Sequence, residues 1–300
     1  MGLSRRSAQR VTGGFGSQPA DGPSEKEIAP LGRGEALALG LPPHSRFTAY
    51  QLAQHAADYP DLAYRVRGAV EYAVGGFWRR RPEIGAILKM VAGAAREVLL
   101  TALLRSYAAR GCALVVLDPR EQERNLRFYR QRGFRAIETV IQLERRGIQV
   151  EQPRGVAIRA MEEGDLPAVL DVERRSFPWF WWNSEAELLW YAGVPGVELY
   201  VALAADQPQP VVGYAGLTVF DDEAHLDRLA VHGDYQRRGY GAALLAFAMH
   251  RMSELGARRV ALTTQTDNRQ SQALYKRFGF QKSGWQHDVY GLWLPPGARH

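Results

Sequence analysis

The sequence predicts an α/β (α+β) fold in which a mixed sheet is flanked by helices, and it predicts that this unit occurs twice. Strand-like and helix-like segments alternate along residues 156–296. The chain also repeats itself: residues 128–134 (FYRQRGF) match residues 274–280 (LYKRFGF), so that Tyr129 and Tyr275 are 146 positions apart. A length of 300 residues suits two such units.

The second unit, residues 156–296, can be divided into elements from its apolar periodicity. It opens with a strand at 156–159 and a helix that begins at Asp165 and extends to Glu173, because Asp is a good N-cap residue. The later elements are a helix at 184–191, strands at 199–204, 211–219 and 224–231, a helix at 242–255, a strand at 259–264, a helix around Tyr275, and final strands at 281–288 and 289–294.

The first unit, residues 46–147, follows the same plan over its second part. A helix at 97–109 and a strand at 113–117 correspond to 242–255 and 260–264. Residues 148–155, with Pro153, are predicted to be a linker. Residues 1–45 are rich in Gly, Pro and Ser and are predicted to be a flexible tail, with a short helix possible at 34–39.

Composition limits the functional classes. The net charge of +6 and the pI of 9.5 suit a nucleic-acid partner, but the arginines are interspersed with glutamates and no nucleic-acid motif is present, so we expect none. The single cysteine, Cys112, lies in an apolar run and is predicted to be a buried, inert thiol. Because no apolar run approaches the ~20 residues of a membrane span and no secretion signal is present, we expect a cytoplasmic protein without a membrane partner.

A glycine-containing turn between a strand and a helix carries the strongest chemical signal. Its residues are Gln236, Arg237, Arg238, Gly239, Tyr240 and Gly241, and Ala242 follows at the start of the helix. The first backbone N–H groups of a helix have no helical acceptor and lie at the positive end of the helix dipole, so such a turn is typical of a phosphate site. The glycines allow close approach of a ligand, and the arginines add charge.

The same turn, with the later segment Asn268, Tyr275, Gly279 and Phe280, resembles the GNAT superfamily of N-acetyltransferases over residues 156–294. The resemblance implies that each unit is a mostly antiparallel, twisted sheet flanked by helices. It also implies an acetyl-CoA-dependent N-acetyltransferase that moves an acetyl group to a primary amine of a protein N-terminus or small molecule. Acetyl-CoA is then the cosubstrate, and no metal is required.

The resemblance also assigns roles to residues. The turn would hold the cofactor's pyrophosphate, the N–H of Leu229 would face the oxyanion, and Leu229 and Val231 would face the pantetheine arm. Tyr275 would protonate the leaving thiolate, because a phenol of pKa ~10 stays protonated at neutral pH. Asn268 either contacts the cofactor or caps the following helix.

His225 is the predicted general base, in competition with Asp227 and Glu223. Strand alternation would place His225, Asp227, Leu229 and Val231 on one face. Histone-acetylating relatives carry a glutamate at the position of His225, so this chain departs from their pattern by offering an imidazole. An unperturbed imidazole, with a pKa of ~6.5, is mostly neutral at pH 7 and can accept a proton.

Three further points follow from the sequence. Where the second unit has its turn, the first has residues 90–95 (MVAGAA), without arginine and with a single glycine, so the first copy is predicted to be degenerate and not to bind the cofactor. Its predicted role is structural, or that of a wall of the acceptor pocket. The aromatic run 177–182 (FPWFWW) forms either an apolar acceptor pocket or peptide groove, or the interface between the units. Residues 173–179, which overlap it, resemble the corresponding segment of the ribosomal-protein alanine acetyltransferases. The alternative to an enzyme is a non-catalytic acyl-CoA sensor or scaffold, and the oligomeric state is left open.

Overall fold

The computed structural model describes residues 24, 27–41, 45–147, 155–204 and 211–295. Within these residues the strands form one 12-stranded sheet in the order β1-β2-β3-β4-β5-β12-β6-β11-β10-β9-β8-β7. Among the described strands, only the pairs β4·β5 and β10·β11 are parallel. Helices pack on both faces, so the predicted mixed, mostly antiparallel sheet flanked by helices is confirmed.

The elements of the two halves correspond in kind and in order, as the internal repeat predicts. The first half contains β1 (Ile28–Pro30), α1 (Arg33–Ala38), α2 (Ala49–Asp58), β2 (Ala63–Val66), β3 (Tyr72–Phe77), β4 (Ile84–Val91), α3 (Arg96–Ala109), β5 (Leu114–Leu117), α4 (Pro119–Gln131) and β6 (Arg135–Arg146). The second contains β7 (Ala157–Ala160), α5 (Leu166–Ser176), α6 (Glu185–Ala192), β8 (Val197–Leu203), β9 (Val211–Phe220), β10 (Glu223–Val231), α7 (Tyr240–Glu254), β11 (Arg259–Gln265), α8 (Arg269–Arg277) and β12 (Gln281–Trp293). The division into domains at 147 and 156 remains a prediction, which this correspondence supports.

The two halves exchange their last strands. β12, from the second half, pairs with β5 of the first, and β6, from the first half, pairs with β11 of the second. β6 and β12 pair with each other at the centre of the sheet. Each half therefore completes the sheet of the other, and the first half lies directly beside the strand that follows the glycine turn.

The predicted tail is wrong over part of its length. β1 pairs with β2, and Leu31 and Ala36 are buried against α2, because these apolar side chains bury surface in a small core of their own. The rest of 1–45 lies largely outside the described residues, and so does the predicted linker apart from Gly155.

The last strands of the chain and the turn of the first unit also differ from the prediction. The last two predicted strands are a single strand, β12, whose register shifts between Lys282 and Gln286 beside Gly284, which has a φ of 89°. Met90 and Val91 belong to β4, so the turn of the first unit is only residues 92–95. The turn of the first unit is therefore shorter than the turn at 232–239 of the second unit, and it lacks that turn's arginines.

Each half has its own apolar core, on the sheet face covered by α3 in the first half and by α7 in the second. Tyr129 and Tyr275 lie in these two cores at corresponding positions. A separate aromatic cluster contains Phe180 and Trp181 and packs on the opposite face, over the first half. None of the described helices is long and apolar enough to cross a membrane.

Candidate functional site

A groove of about 360 Å³ opens where β10 and β11 separate. The two parallel strands pair only from Glu223 to Leu226 of β10, so the following residues have no pairing with β11. The groove is lined by Ser176, Phe177, Leu229, Ala230, Val231, Gln236, Arg237, Gly239, Gly241, Ala242, Asn268, Gln270, Ser271, Ala273, Leu274 and Arg277. A larger cavity of about 460 Å³ between α5, α6 and β8 contains none of the predicted site residues.

The turn before α7 presents backbone donors to this groove. Gly239 is the N-cap of α7 and has a φ of 93°, a conformation that favours glycine. The first helical hydrogen bond runs from Ala243 N–H to Gly239 C=O (3.0 Å), so the N–H groups of Tyr240, Gly241 and Ala242 have no helical acceptor. A Cβ on Gly241 would lie at an ordinary contact distance of 3.7 Å from Leu274 and Val231. Packing therefore does not require glycine at position 241. Because Gly241 has no side chain, the groove has room for a ligand beside it.

Two arginines line the groove, but they are not the predicted pair. Arg237 does so with a positive φ of 58°, whereas Arg238 lies over the ring of Tyr235, 5.2 Å from its centroid. The second lining arginine is Arg277, from α8. Tyr240 contacts Tyr235 edge-on and does not line the groove.

Gln236 and Val231 are joined by a hydrogen bond. The Gln236 amide donates to the Val231 carbonyl (3.1 Å), which also accepts from the Ser176 hydroxyl (2.8 Å). Gln236 in turn accepts from Gln270 (3.3 Å). These contacts hold the end of β10 and the turn together.

Asn268 caps the following helix, and its predicted contact with the cofactor stays a prediction. Its side-chain oxygen accepts from Ser271 N–H (3.1 Å) and so caps α8, while the residue also lines the groove.

Tyr275 lies behind the groove wall, between the lining residues Leu274 and Arg277. It is 6% exposed, and burial raises its pKa to about 12, although nearby Arg228 opposes the shift. A phenol of that pKa is a weaker acid than an ordinary thiol (~8.5), so complete proton transfer to a free thiolate would be unfavourable. Any donation by Tyr275 must therefore accompany cleavage of the carbon–sulfur bond.

The predicted alternation along β10 is wrong because of a β-bulge. Asp227 is the unpaired residue between the pairs Leu226↔Leu217 and Arg228↔Gly216. Leu226 and Leu229 consequently both pack against the core beneath α7, which regular alternation forbids. His225 and Asp227 lie on the opposite face, which α5 and α6 cover, and not with Leu229 and Val231.

On that face His225 and Asp227 form a hydrogen-bonded group. The Asp227 carboxylate contacts His225 Nδ1 (2.8 Å) and accepts from the hydroxyls of Tyr191 (2.5 Å) and Thr218 (2.6 Å). The side chains of His225 and Asp227 are 39% and 27% exposed. The group is therefore accessible, but it does not line the groove, and Glu223 is paired with Arg259.

Comparison with known proteins identifies the family. Residues 166–280 match the acetyltransferase (GNAT) family. The [ribosomal protein bS18]-alanine N-acetyltransferase of Escherichia coli K12 is 33% identical over 135 residues, which are 44% of this chain and 86% of that protein. This chain belongs to the GNAT acetyltransferase family.

The fold of this chain, over 90% of its length, is similar to the folds of two proteins of known structure. A GCN5-related N-acetyltransferase from Sphaerobacter thermophilus aligns with a TM-score of 0.56 at 17% identity over 90% of this chain and 96% of that one. A tandem GNAT protein from the clavulanic acid biosynthesis pathway aligns with a TM-score of 0.52 at 13% identity over 90% and 99%. Membership of the family makes this chain an acetyltransferase.

The first GNAT-like unit offers an internal comparison for the groove. Its strand β4 carries the same bulge, at Leu88, so Met90 is the counterpart of Leu229, two residues past the bulge in each case. Met90 N–H donates to the carboxylate of Glu121 (3.0 Å), to which the Tyr129 hydroxyl also donates (2.8 Å). Glu121 is buried, and burial raises its pKa. In the first unit an internal carboxylate thus occupies the space beside the bulged strand.

The aromatic run lies at the interface between the two halves and also reaches the groove. Phe180 stacks on Trp78 of the first half with the ring centroids 5.1 Å apart, whereas Phe177 lines the groove. Arg228 stacks on Phe177, forms two hydrogen bonds with buried Glu173 (2.8 and 2.6 Å) and donates to the Trp181 carbonyl (2.6 Å). These contacts attach the aromatic run to β10.

Sequence reasoning missed four polar residues that line the groove: Ser176, Gln270, Ser271 and Arg277. The last three lie on α8 within the motif segment, so helical periodicity from Asn268 could have indicated them. Ser176 comes from α5, and no local pattern places it there. Among the described residues, no three His, Cys, Asp or Glu side chains are grouped to hold a metal ion.

Proposed function

We propose that this protein is an acetyl-CoA-dependent N-acetyltransferase whose single working site is the groove between β10 and β11. The observation that carries the proposal is the turn at Gly239, where unpaired backbone N–H groups and two arginines line one groove that leads to Leu229. Enzymes of the GNAT family use acetyl-CoA as cosubstrate. Pyrophosphate suits these donors, because a helix N-terminus and arginine both stabilise an anion.

The chain's own residues would hold the cofactor as follows. The N–H groups of Gly241 and Ala242, with Arg237, would bind the pyrophosphate, and Leu229 and Val231 would position the pantetheine arm. The cofactor supplies the acetyl thioester. The N–H of Leu229 would stabilise the oxyanion, as the Met90 N–H does for an internal carboxylate in the first unit.

The transfer requires protons to leave the acceptor nitrogen and one proton to reach the sulfur. The acceptor ammonium first loses one proton, the neutral amine nitrogen attacks the thioester carbonyl carbon, the carbon–sulfur bond breaks, and the nitrogen loses a second proton. The second proton would pass to water, and the ammonium proton would be accepted by His225, oriented by Asp227. His225 lies four residues before Leu229, roughly 13 Å along a strand, so the proton would pass through water. Tyr275 would donate to the sulfur as the bond breaks.

We propose the N-terminal amine of a protein as the first acceptor class to test, because the E. coli relative is named for the alanine of a ribosomal protein. A small-molecule amine is the second class. Either acceptor would approach from the face of α5 and α6, where His225 is accessible.

The test is acetyl-CoA-dependent release of free thiol with a panel of amines, namely peptides with N-terminal alanine, spermidine and glucosamine. We expect amine-dependent release and one acetyl group on the acceptor nitrogen by mass spectrometry. Tight acetyl-CoA binding without turnover on any amine would instead favour a sensor or scaffold.

A further inference from the structure

Glu138 lies beside the catalytic groove although it belongs to the first half of the chain. It is carried by the exchanged strand β6, which pairs with β11 up to Val140↔Gln265. The Thr139 carbonyl then accepts from Thr266 N–H (3.0 Å). Glu138, the next residue of β6, therefore lies just beyond the end of β11. Its carboxylate is near enough to that of Asp267 for the two to repel. Asn268, which follows, lines the groove.

The side chain of Glu138 is on the face from which an acceptor would approach. Val140, two positions along the same strand, packs with Phe180 and Trp181 on that face, so Glu138 points the same way. The indole N–H of Trp181 is buried without a hydrogen-bond partner of good geometry among the described residues, yet it is close enough to Glu138 to lower the pKa of the carboxyl. The Trp181 carbonyl binds Arg228 of β10.

Glu138 has no cationic partner within the described part of the chain, whereas two other carboxylates on the sheet do. Glu144, on the same strand and face, pairs with Arg259, and Asp227 pairs with His225. Glu138 is half-buried, and burial is the main cause that raises its pKa. An unpaired, partly buried carboxylate is costly for a folded chain, and a cation that binds beside it removes the cost.

We propose that Glu138 binds the ammonium group of the acceptor, so that the first half supplies part of the acceptor site of the second. This inference rests on the proposed function. It gives the strand exchange a role, because only an exchanged β6 brings a residue of the first half to the end of β11. The inference also specifies the acceptor class. The acceptor is an amine that binds as its cation, in a partly desolvated site that contains a carboxylate and lies beside indole rings.

The test compares Glu138→Gln with Glu144→Gln, which removes a carboxylate from the same strand and face. With acetyl-CoA and a hexapeptide bearing N-terminal alanine, we expect Glu138→Gln to raise KM for the peptide ~10-fold or more, as the loss of one partly buried ion pair implies. The KM for acetyl-CoA should not change, and Glu138→Asp should recover part of the loss. Glu144→Gln should behave like the unaltered chain.

A binding measurement separates this role from a structural one. The CoA-loaded protein should bind the free-amine peptide more tightly than its N-acetylated form, and Glu138→Gln should abolish that preference. An unchanged peptide KM and an unchanged preference in a folded Glu138→Gln variant would overturn the inference and leave the proposed function standing. Failure of the unaltered chain to acetylate any amine would overturn both.

Discussion

At the scale of single residues, the same tyrosine position has two different environments. The Tyr129 hydroxyl donates to Glu121, whereas the Tyr275 hydroxyl has no hydrogen-bond partner among the described residues. With a pKa raised to about 12, Tyr275 stays protonated across the working pH range and is a donor throughout. It should therefore contribute no alkaline limb to the pH–rate profile below about pH 11.

Replacing Tyr275 by Phe is expected to lower kcat ~10²-fold with KM little changed, because a donor used only in the transition state is lost. Steady-state kinetics measures both constants. The matched control is Tyr129→Phe, which removes the equivalent hydroxyl from the first unit and should lower stability but not kcat. A Tyr275→Phe variant with kcat within a factor of about three of the unaltered chain would exclude the role.

His225 is a more distant candidate, since it acts through water in this account. We expect His225→Gln to change the acidic limb of the kcat/KM profile and to lower its plateau, because the group that accepts the proton is removed. His250→Gln, a histidine on α7 paired with Glu254, is the control and should leave the profile unchanged. If both variants give the same profile, another group is the base.

At the scale of elements, the turn could be predicted from the sequence and the strand before it could not. Gly239 and Gly241 indicate a helix N-terminus that binds an anion, because the positive φ of Gly239 favours glycine and the missing side chain of Gly241 leaves room for a ligand. The bulge at Asp227 has no such local signal: it depends on the register with β9, and it moves His225 to the other face. Arg277 and Ser176 reach the groove only through tertiary packing.

The turn allows a test at Gly241, which lies in the first turn of α7 and does not have a positive φ. Gly241→Asp should fold as well as the unaltered chain, because an acidic residue in the first helical turn is favourable and its Cβ meets only ordinary contacts. Its carboxylate would nonetheless lie in the groove and repel the pyrophosphate, so we expect acetyl-CoA affinity to fall ~10²-fold or more by calorimetry. Gly241→Ala, which adds the Cβ without the charge, should lose much less, and equal affinities for the Asp and Ala variants would contradict the assignment.

At the scale of the whole molecule, the sequence predicts two related units, and the structure joins them into one sheet. The repeat around Tyr129 and Tyr275 reveals the duplication because local sequence is preserved there. The exchange of β6 and β12 cannot be predicted from the sequence of either strand. The alternation of apolar and polar residues along a strand does not specify which strand it pairs with. The degenerate character of the first unit remains a prediction. Its shorter turn and the carboxylate of Glu121 beside Met90 both support it.

The most direct test of the central claim is a calorimetric titration of the full chain with acetyl-CoA. The groove at Gly239 has the donors for one pyrophosphate, whereas the first unit has a turn without arginine and the Glu121 carboxylate beside its bulged strand. The titration should therefore saturate at one cofactor per chain, and that binding should be lost in Gly241→Asp. Saturation at two per chain, or one site that survives Gly241→Asp unchanged, would contradict the account.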